Sequence, residues 1–341
     1  MAQDVKKLHP SKCAIITDSN VAKSHYGRLE SALLSEGIRS EAFPFPAGEK
    51  SKNERIYYDL STRILARKFD RDTLIIGLGG GVTTDLAGFV AGTLLRGVDL
   101  FLYPTTLLAQ VDAAIGGKNG IDTEFGKNQL GTYKLPGKVY NDAEVLQDLN
   151  NANYRSGLAE IVKTAVIRDP ELFIWLEARM DQLVNRCPDE LLYVIQKCCA
   201  IKSRIVQQDP EDKGCRNWLN YGHTIGHALE KASKYRMHHG PAISIGMNVE
   251  GRASFELGFF PFEHWLQQEK LLERTGLPVL LPLRFSNRAI ISATYGDKKS
   301  ANGQPRYSPP IAIGRMYERD GKYAIPVDDS VLKKAFYECR P

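Results

Sequence analysis

The chain has little of what would mark a secreted, membrane-spanning or nucleic-acid-binding protein. Six cysteines among 341 residues, none in a CxxC spacing, exclude a disulfide scaffold and a zinc ribbon and fit a reducing compartment. No apolar run reaches membrane length, because the longest, residues 89–117, is broken by Arg96, Asp99 and Asp112. The opening MAQDVKKLHPSK lacks the apolar core of a signal peptide, so a cytoplasmic location is expected. A dense basic face is missing as well. Net charge is only +5, with Lys and Arg interleaved among acids, which suits a small anion better than nucleic acid.

What is present is an ordinary globular composition, 43% hydrophobic and 25% charged, in a chain long enough for two cores. From Cys13 to Tyr140, short apolar runs (CAIIT, EAFPF, TLIIGL, DLFLY, KVY) alternate with amphipathic stretches at 24–36, 54–68, 82–95 and 106–115. This is the pattern of a Rossmann-like, doubly wound parallel sheet, here residues 1–150. From 151 to 341 long helical patterns dominate. DPELFIWLEARMDQLV shows the type: Asp169 is an N-cap, Pro170 the first helical residue, and Leu172, Leu176, Met180 and Leu183 one apolar stripe. The expected fold class is therefore α/β, followed by a mainly helical domain.

Four stretches carry chemistry. In LIIGLGGGVTTDLAG, Gly79, Gly80 and Gly81 join a strand to a helix, where a phosphate can approach bare backbone and a helix N-terminus. It is not a GxGxxG, and a tight turn is the alternative reading. PTTLLAQVDAAIGGKNGID sets Asp112 and Lys118 among small and apolar residues, and EFGKNQLG adds Lys127 and Asn128. These lysines, grouped with glycines, suggest anion binding. In LNYGHTIGHALE, His223 and His227 lie one helical turn apart, but Thr224 stands where a zinc-protease helix has glutamate. With His238, His239 and Glu160 nearby in pattern, two histidines and a carboxylate could form a catalytic-type metal set. Spacing alone leaves open which histidines bind. Lys202, Arg216 and Asn220 could clamp an anion beside it or form an exposed rim.

GGGVTTDLAGFVAGTLLRG, PTTLLAQVDAAIGGKNGID, GKNQLG, SGLAEIVK, RNWLNYGHTIGHALE, HGPAISIGM and DKK, in this order, resemble the 3-dehydroquinate synthase family over roughly residues 14–310. The resemblance implies a homodimeric lyase that uses NAD catalytically with a divalent metal, zinc or cobalt. Its substrate would be 3-deoxy-D-arabino-heptulosonate 7-phosphate, converted to 3-dehydroquinate and phosphate on the shikimate route to aromatic amino acids. Carried over by position, the metal ligands are Glu160, His223 and His239. Lys163, Lys202, Arg216 and Asn220 fall around the substrate carboxylate and hydroxyls, and His227 matches a histidine that contacts substrate near the phosphate. Lys118, Asn128 and Lys298 or Lys299 fall on the phosphate side, and Arg96 reaches a partner subunit's site. Asp18, Asn20, Glu49, Lys52, Gly80, Gly81, Asp85, Thr105, Thr106, Asp112, Lys118 and Lys127 match NAD contacts.

Departures from the family pattern fall mostly on the NAD side. Thr84 replaces a glycine and is expected to crowd the pyrophosphate turn, Asp148 stands where a threonine is usual, and Pro241 replaces a glutamate. Two rivals remain. Another sugar phosphate cyclase, such as an aminodehydroquinate, deoxy-scyllo-inosose or epi-valiolone synthase, shares the motifs; the latter two act on substrates without the carboxylate, against which Lys202, Arg216, Asn220 and His227 together speak. A metal-dependent polyol dehydrogenase would leave the phosphate-side lysines without purpose.

Overall fold

The computed structural model describes residues 1–295 and 305–341, which divide into two compact units, Met1–Asp148 and Leu149–Pro341. In the first, strands β1 (Cys13–Asp18), β2 (Ser40–Phe45), β3 (Leu74–Gly79), β4 (Asp99–Pro104) and β7 (Lys138–Val139) form one parallel sheet in the order β2-β1-β3-β4-β7. Both faces are covered, which is why these strands read as continuous apolar runs and not as alternations. Ala14, Ile16, Ile75, Leu100 and Leu102 pack on one face with residues of α4 (Glu54–Ala66) and α5 (Gly81–Thr93). Cys13, Ile15, Leu74, Ile76 and Leu78 pack on the other with Val5 of α1 (Ala2–Leu8) and Leu29 and Leu33 of α3 (Gly27–Ser35). A single turn, α2 (Ser19–Val21), follows β1.

One element differs from the sequence pattern. The amphipathic stretch at 106–115 is a short helical segment that loosens into a π-turn at Ala109–Ala113, and after it comes an antiparallel hairpin, β5 (Lys118–Thr123) with β6 (Gly126–Tyr133). Its strands are rich in glycine and polar residues and most of β6 is exposed, so no apolar alternation marks them.

The second unit is built on α6 (Asn151–Arg168) and α10 (His239–Glu256), each of which buries most of its circumference. Around them lie α7 (Pro170–Val184), α8 (Pro188–Gln208), α9 (His223–Ala232), α11 (Phe262–Arg274), α12 (Asn287–Tyr295) and α13 (Asp329–Glu338). The Asp169 carboxylate accepts the Leu172 N–H at 2.9 Å, and the stripe Leu172, Leu176, Met180, Leu183 is wholly buried. Four short strands form two antiparallel pairs, β8 (Arg306–Tyr307) with β11 (Ile325–Pro326) and β9 (Pro310–Ala312) with β10 (Arg315–Met316).

Candidate functional site

In the first unit the strand order reverses between β1 and β3, and ligands of open parallel sheets bind outside the carboxyl ends of the strands at such a point. Asp18 ends β1, Gly79 ends β3 and Thr105 follows β4, its N–H on the Gly79 carbonyl at 2.9 Å. Gly80 is the N-cap of α5, and no side chain caps that helix, so its first N–H groups point toward an anion's place. The glycines also serve the turn itself. A Cβ on Gly79 would stand 2.3 Å from Thr83 Oγ1, and one on Gly80 2.9 Å from Thr106 Cγ2, whereas Gly81 has ordinary space. Thr84 is buried, and its hydroxyl turns back to the Gly81 carbonyl at 3.0 Å. Asp18 Oδ1 accepts the N–H of exposed Asn20 at 2.9 Å, and Thr106 Oγ1 that of Ala109 at 3.2 Å.

Five carried-over residues gather in one ionic cluster. Lys52 Nζ lies 2.5 Å from both Asp85 Oδ2 and Asn128 Oδ1, and Lys127 Nζ lies 3.3 Å from Glu49 Oε1. Burial opposes the charge on Lys52, yet Asp85 and Glu49 raise its pKa above the ordinary value. Asn128 is held at a left-handed φ of +54° while its N–H bonds Asp122 Oδ1 at 2.8 Å. Asp112 sits half-buried in the π-turn and Lys118 opens β5 exposed to solvent. Arg96 stands apart. It is exposed in a turn beyond the far end of α5, where Leu95, Arg96 and Gly97 all take positive φ. A 13-residue helix separates it from Gly80 by about 20 Å. Asp148 is exposed at the end of the unit.

In the second unit three residues from three helices meet. Glu160 comes from the middle of α6, while His223 and His239 are the first residues of α9 and α10. Their candidate ligand atoms lie within 4.8 Å of one another, with Glu160 Oε1 3.5 Å from His223 Nε2 and 3.2 Å from His239 Nε2. His223 Nδ1 is 3.1 Å from the Tyr221 carbonyl, an acceptor, so Nδ1 carries the proton and Nε2 turns its lone pair to the cluster. His239 Nδ1 lies 3.6 Å from Glu230 Oε1, the same support from a carboxylate. Burial alone would raise the pKa of Glu160, but Lys163, paired with its other oxygen, and His239 hold it at about 2. Burial works against a charged His239, yet Glu160 and Glu230 raise it to about 9. One buried carboxylate and two half-buried imidazoles, their ligand atoms turned to one point, fit a divalent ion. His227 stands beside it, ring centroids 5.3 Å from His223 and 6.5 Å from His239, whereas His238 is exposed.

Lys163 and Lys202 are buried on α6 and α8. Arg216 and Asn220 belong to the 3₁₀ turn Cys215–Asn220, which packs against both helices. Asp209 organises that turn: its carboxylate accepts N–H groups of Lys213, Gly214 and Arg216 at 2.9, 2.7 and 3.0 Å. Neither Asp209 nor Glu230 stood out in the sequence. An acid inside the apolar pattern of GHALE was the available signal for Glu230, since a buried carboxylate needs a partner. Lys298 and Lys299 lie outside the described residues.

Models of the 3-dehydroquinate synthase N-terminal and C-terminal regions match residues 42–156 and 157–300. The 3-dehydroquinate synthase of Thermodesulfovibrio yellowstonii is 38% identical over 96% of this chain and 90% of its own length. That of Nostoc punctiforme is 39% identical over 92% and 88%. Among solved structures, 2-deoxy-scyllo-inosose synthase complexed with carbaglucose-6-phosphate, NAD+ and Co2+ superimposes with a TM-score of 0.88 at 25% identity, covering 99% of this chain and 94% of the other. With both halves matched and near-complete coverage of relatives well above 30% identity, the chain belongs to the 3-dehydroquinate synthase family.

Proposed function

We propose that this protein is a 3-dehydroquinate synthase, converting 3-deoxy-D-arabino-heptulosonate 7-phosphate to 3-dehydroquinate and phosphate in aromatic amino acid biosynthesis. The observation that carries the reading is the convergence of Glu160, His223 and His239 in a chain similar to 3-dehydroquinate synthases along nearly its whole length. Bound NAD supplies a recyclable hydride acceptor, and a zinc or cobalt ion Lewis acidity at the substrate hydroxyl. The chain does the rest by holding groups in place. Glu160, His223 and His239 hold the ion, with the His223 and Glu160 side chains nearly water-excluded. Lys163, Lys202, Arg216 and Asn220 orient the substrate carboxylate and hydroxyls, and His227 contacts substrate near the phosphate. Lys118, Asn128 and a lysine of DKK bind the phosphate. The strand ends and the α5 N-terminus, with Asp18, Asn20, Gly80, Gly81, Thr105, Thr106 and Asp112, hold NAD beside the Glu49, Lys52, Asp85 and Lys127 cluster.

The carboxylate-side set favours this substrate over those of the scyllo-inosose and valiolone cyclases, and the phosphate-side lysines disfavour a polyol dehydrogenase. The test is phosphate release from the heptulosonate phosphate with substoichiometric NAD. Many turnovers per NAD, lost on chelation and without net NADH, are expected; NADH accumulating with turnover would overturn the reading. Among the described residues no helix is long and apolar enough to cross a membrane. A homodimer in which Arg96 completes the partner's phosphate site accounts for an exposed arginine so far from Gly80. Mixed dimers of Arg96→Ala with His223→Ala should then regain part of the activity that each variant lacks.

A further inference from the structure

The meeting of His223 with His239 depends on how α9 is held, and α9 starts without a cap of its own. A helix N-terminus leaves N–H groups that an N-cap Ser, Thr, Asp or Asn and a Glu or Gln three residues on usually satisfy. Here the N-cap is Gly222, at φ +77°, and the third helical residue is Ile225. Neither has a side chain that can accept a hydrogen bond. A side chain at 222 has no room either, because its Cβ would lie 2.5 Å from Met247 Cγ and 3.0 Å from Met247 N. The backbones are in contact here: a Cβ on Gly246 would stand 1.9 Å from the Gly222 carbonyl oxygen.

The missing acceptors come from α10. Glu250 is 4% exposed, its Oε2 accepts the Gly222 N–H at 2.8 Å, and its Oε1 accepts the Ile225 N–H at 2.9 Å. One carboxylate thus does from a neighbouring helix what a capping box does within one. The two bonds straddle His223. Because α10 also begins with His239, one rigid helix carries a metal ligand at its start and, about three turns on, the clamp on the helix that carries the other ligand.

We propose that Glu250 is a positioning residue of the metal centre, fixing His223 against His239 by capping α9 from α10. This rests on the reading of Glu160, His223 and His239 as the metal ligands. A buried carboxylate is otherwise costly, and two backbone donors at a positive helix end are what make it tolerable.

The test titrates Co2+ into chelator-treated wild type, Glu250→Gln and Glu250→Asp, following the visible Co2+ absorption, with thermal unfolding in parallel. Asp328→Ala removes the cap of α13, which carries no ligand, and controls for general loss of stability. In Glu250→Gln the amide NH2 must face one of the two N–H donors, so Co2+ affinity should fall about 10- to 100-fold with an altered spectrum. Glu250→Asp should fall between, and Asp328→Ala should lower the melting temperature while leaving Co2+ affinity and spectrum unchanged. Folded Glu250→Gln with wild-type affinity and spectrum would overturn the proposal, as would an equal loss in Asp328→Ala. Should Glu250→Gln not fold, unchanged Co2+ affinity in Glu250→Asp overturns it instead. If His223→Ala binds Co2+ as the wild type does, the metal assignment has failed, and not the role of Glu250.

Discussion

The two candidate sites, one in each unit, are built by opposite means. The nucleotide-side site of the first unit is assembled from backbone: strand ends, a bare helix N-terminus, and glycines needed by the turn before any ligand arrives. Its charged residues neutralise one another, Lys52 with Asp85 and Lys127 with Glu49. The metal site of the second unit is assembled from side chains projected by three helices, and its set of one carboxylate and two imidazole donors is what suits a divalent cation. A backbone site needs a local sequence, whereas a side-chain site needs three distant segments to pack correctly.

That contrast makes His223→Ala the most damaging change. It removes one of three ligands, so metal affinity should drop by more than the roughly 10–100-fold of an outer-sphere change, and turnover should vanish. NAD binding, measured by fluorescence quenching, should survive; its loss would break the contrast between the two sites. Lys52→Met does the reverse. It strands Asp85 without its buried partner, at about 3 kcal/mol of stability, and should weaken NAD while leaving Co2+ titration unchanged. Gly79→Ala forces a methyl against Thr83, and about 2 kcal/mol should be lost in denaturant unfolding; a neutral outcome would mean the turn relaxes and the glycine is there for ligand alone.

The smallest effect tests the 3₁₀ turn. Burial opposes ionisation of Asp209, but the N–H groups of Lys213, Arg216 and Gly214 lower its pKa below the ordinary carboxylate value. A depressed carboxylate stabilises the fold above its unfolded pKa, near ~3.9, and that contribution disappears as pH falls through the lower native value. Asp209→Asn should therefore cost about 1–2 kcal/mol at pH 7 and less at about pH 3, and it should raise KM more than it lowers kcat, because Arg216 is held and not removed. Equal melting differences at both pH values would locate the effect elsewhere.

Much of this was legible in the chain. Continuous apolar runs between amphipathic stretches announce a parallel sheet because both its faces are buried. Asp169 and Pro170 announce α7 because capping chemistry is local. The β5–β6 hairpin was not legible, since GKNGID and GKNQLG lack an apolar period and their pairing is set by register. How Thr84 turns was not legible either: its hydroxyl bonds the Gly81 carbonyl in the helix's own first turn, an orientation that a residue name does not encode.

By itself the sequence determined the parallel sheet, the helical second unit, the glycine turn and the pool of histidines and carboxylates, all of which follow from short-range patterns of burial, capping and backbone freedom. Spacing left open which histidines join Glu160, and resemblance named them; the tertiary structure brings His223 and His239 onto Glu160 and shows that Glu230 and Glu250 support them. Those outcomes depend on the angle and depth at which α6, α9 and α10 pack, and contacts such as Glu250 with Ile225 and His239 with Glu160, 25 and 79 positions apart, leave no period in the chain.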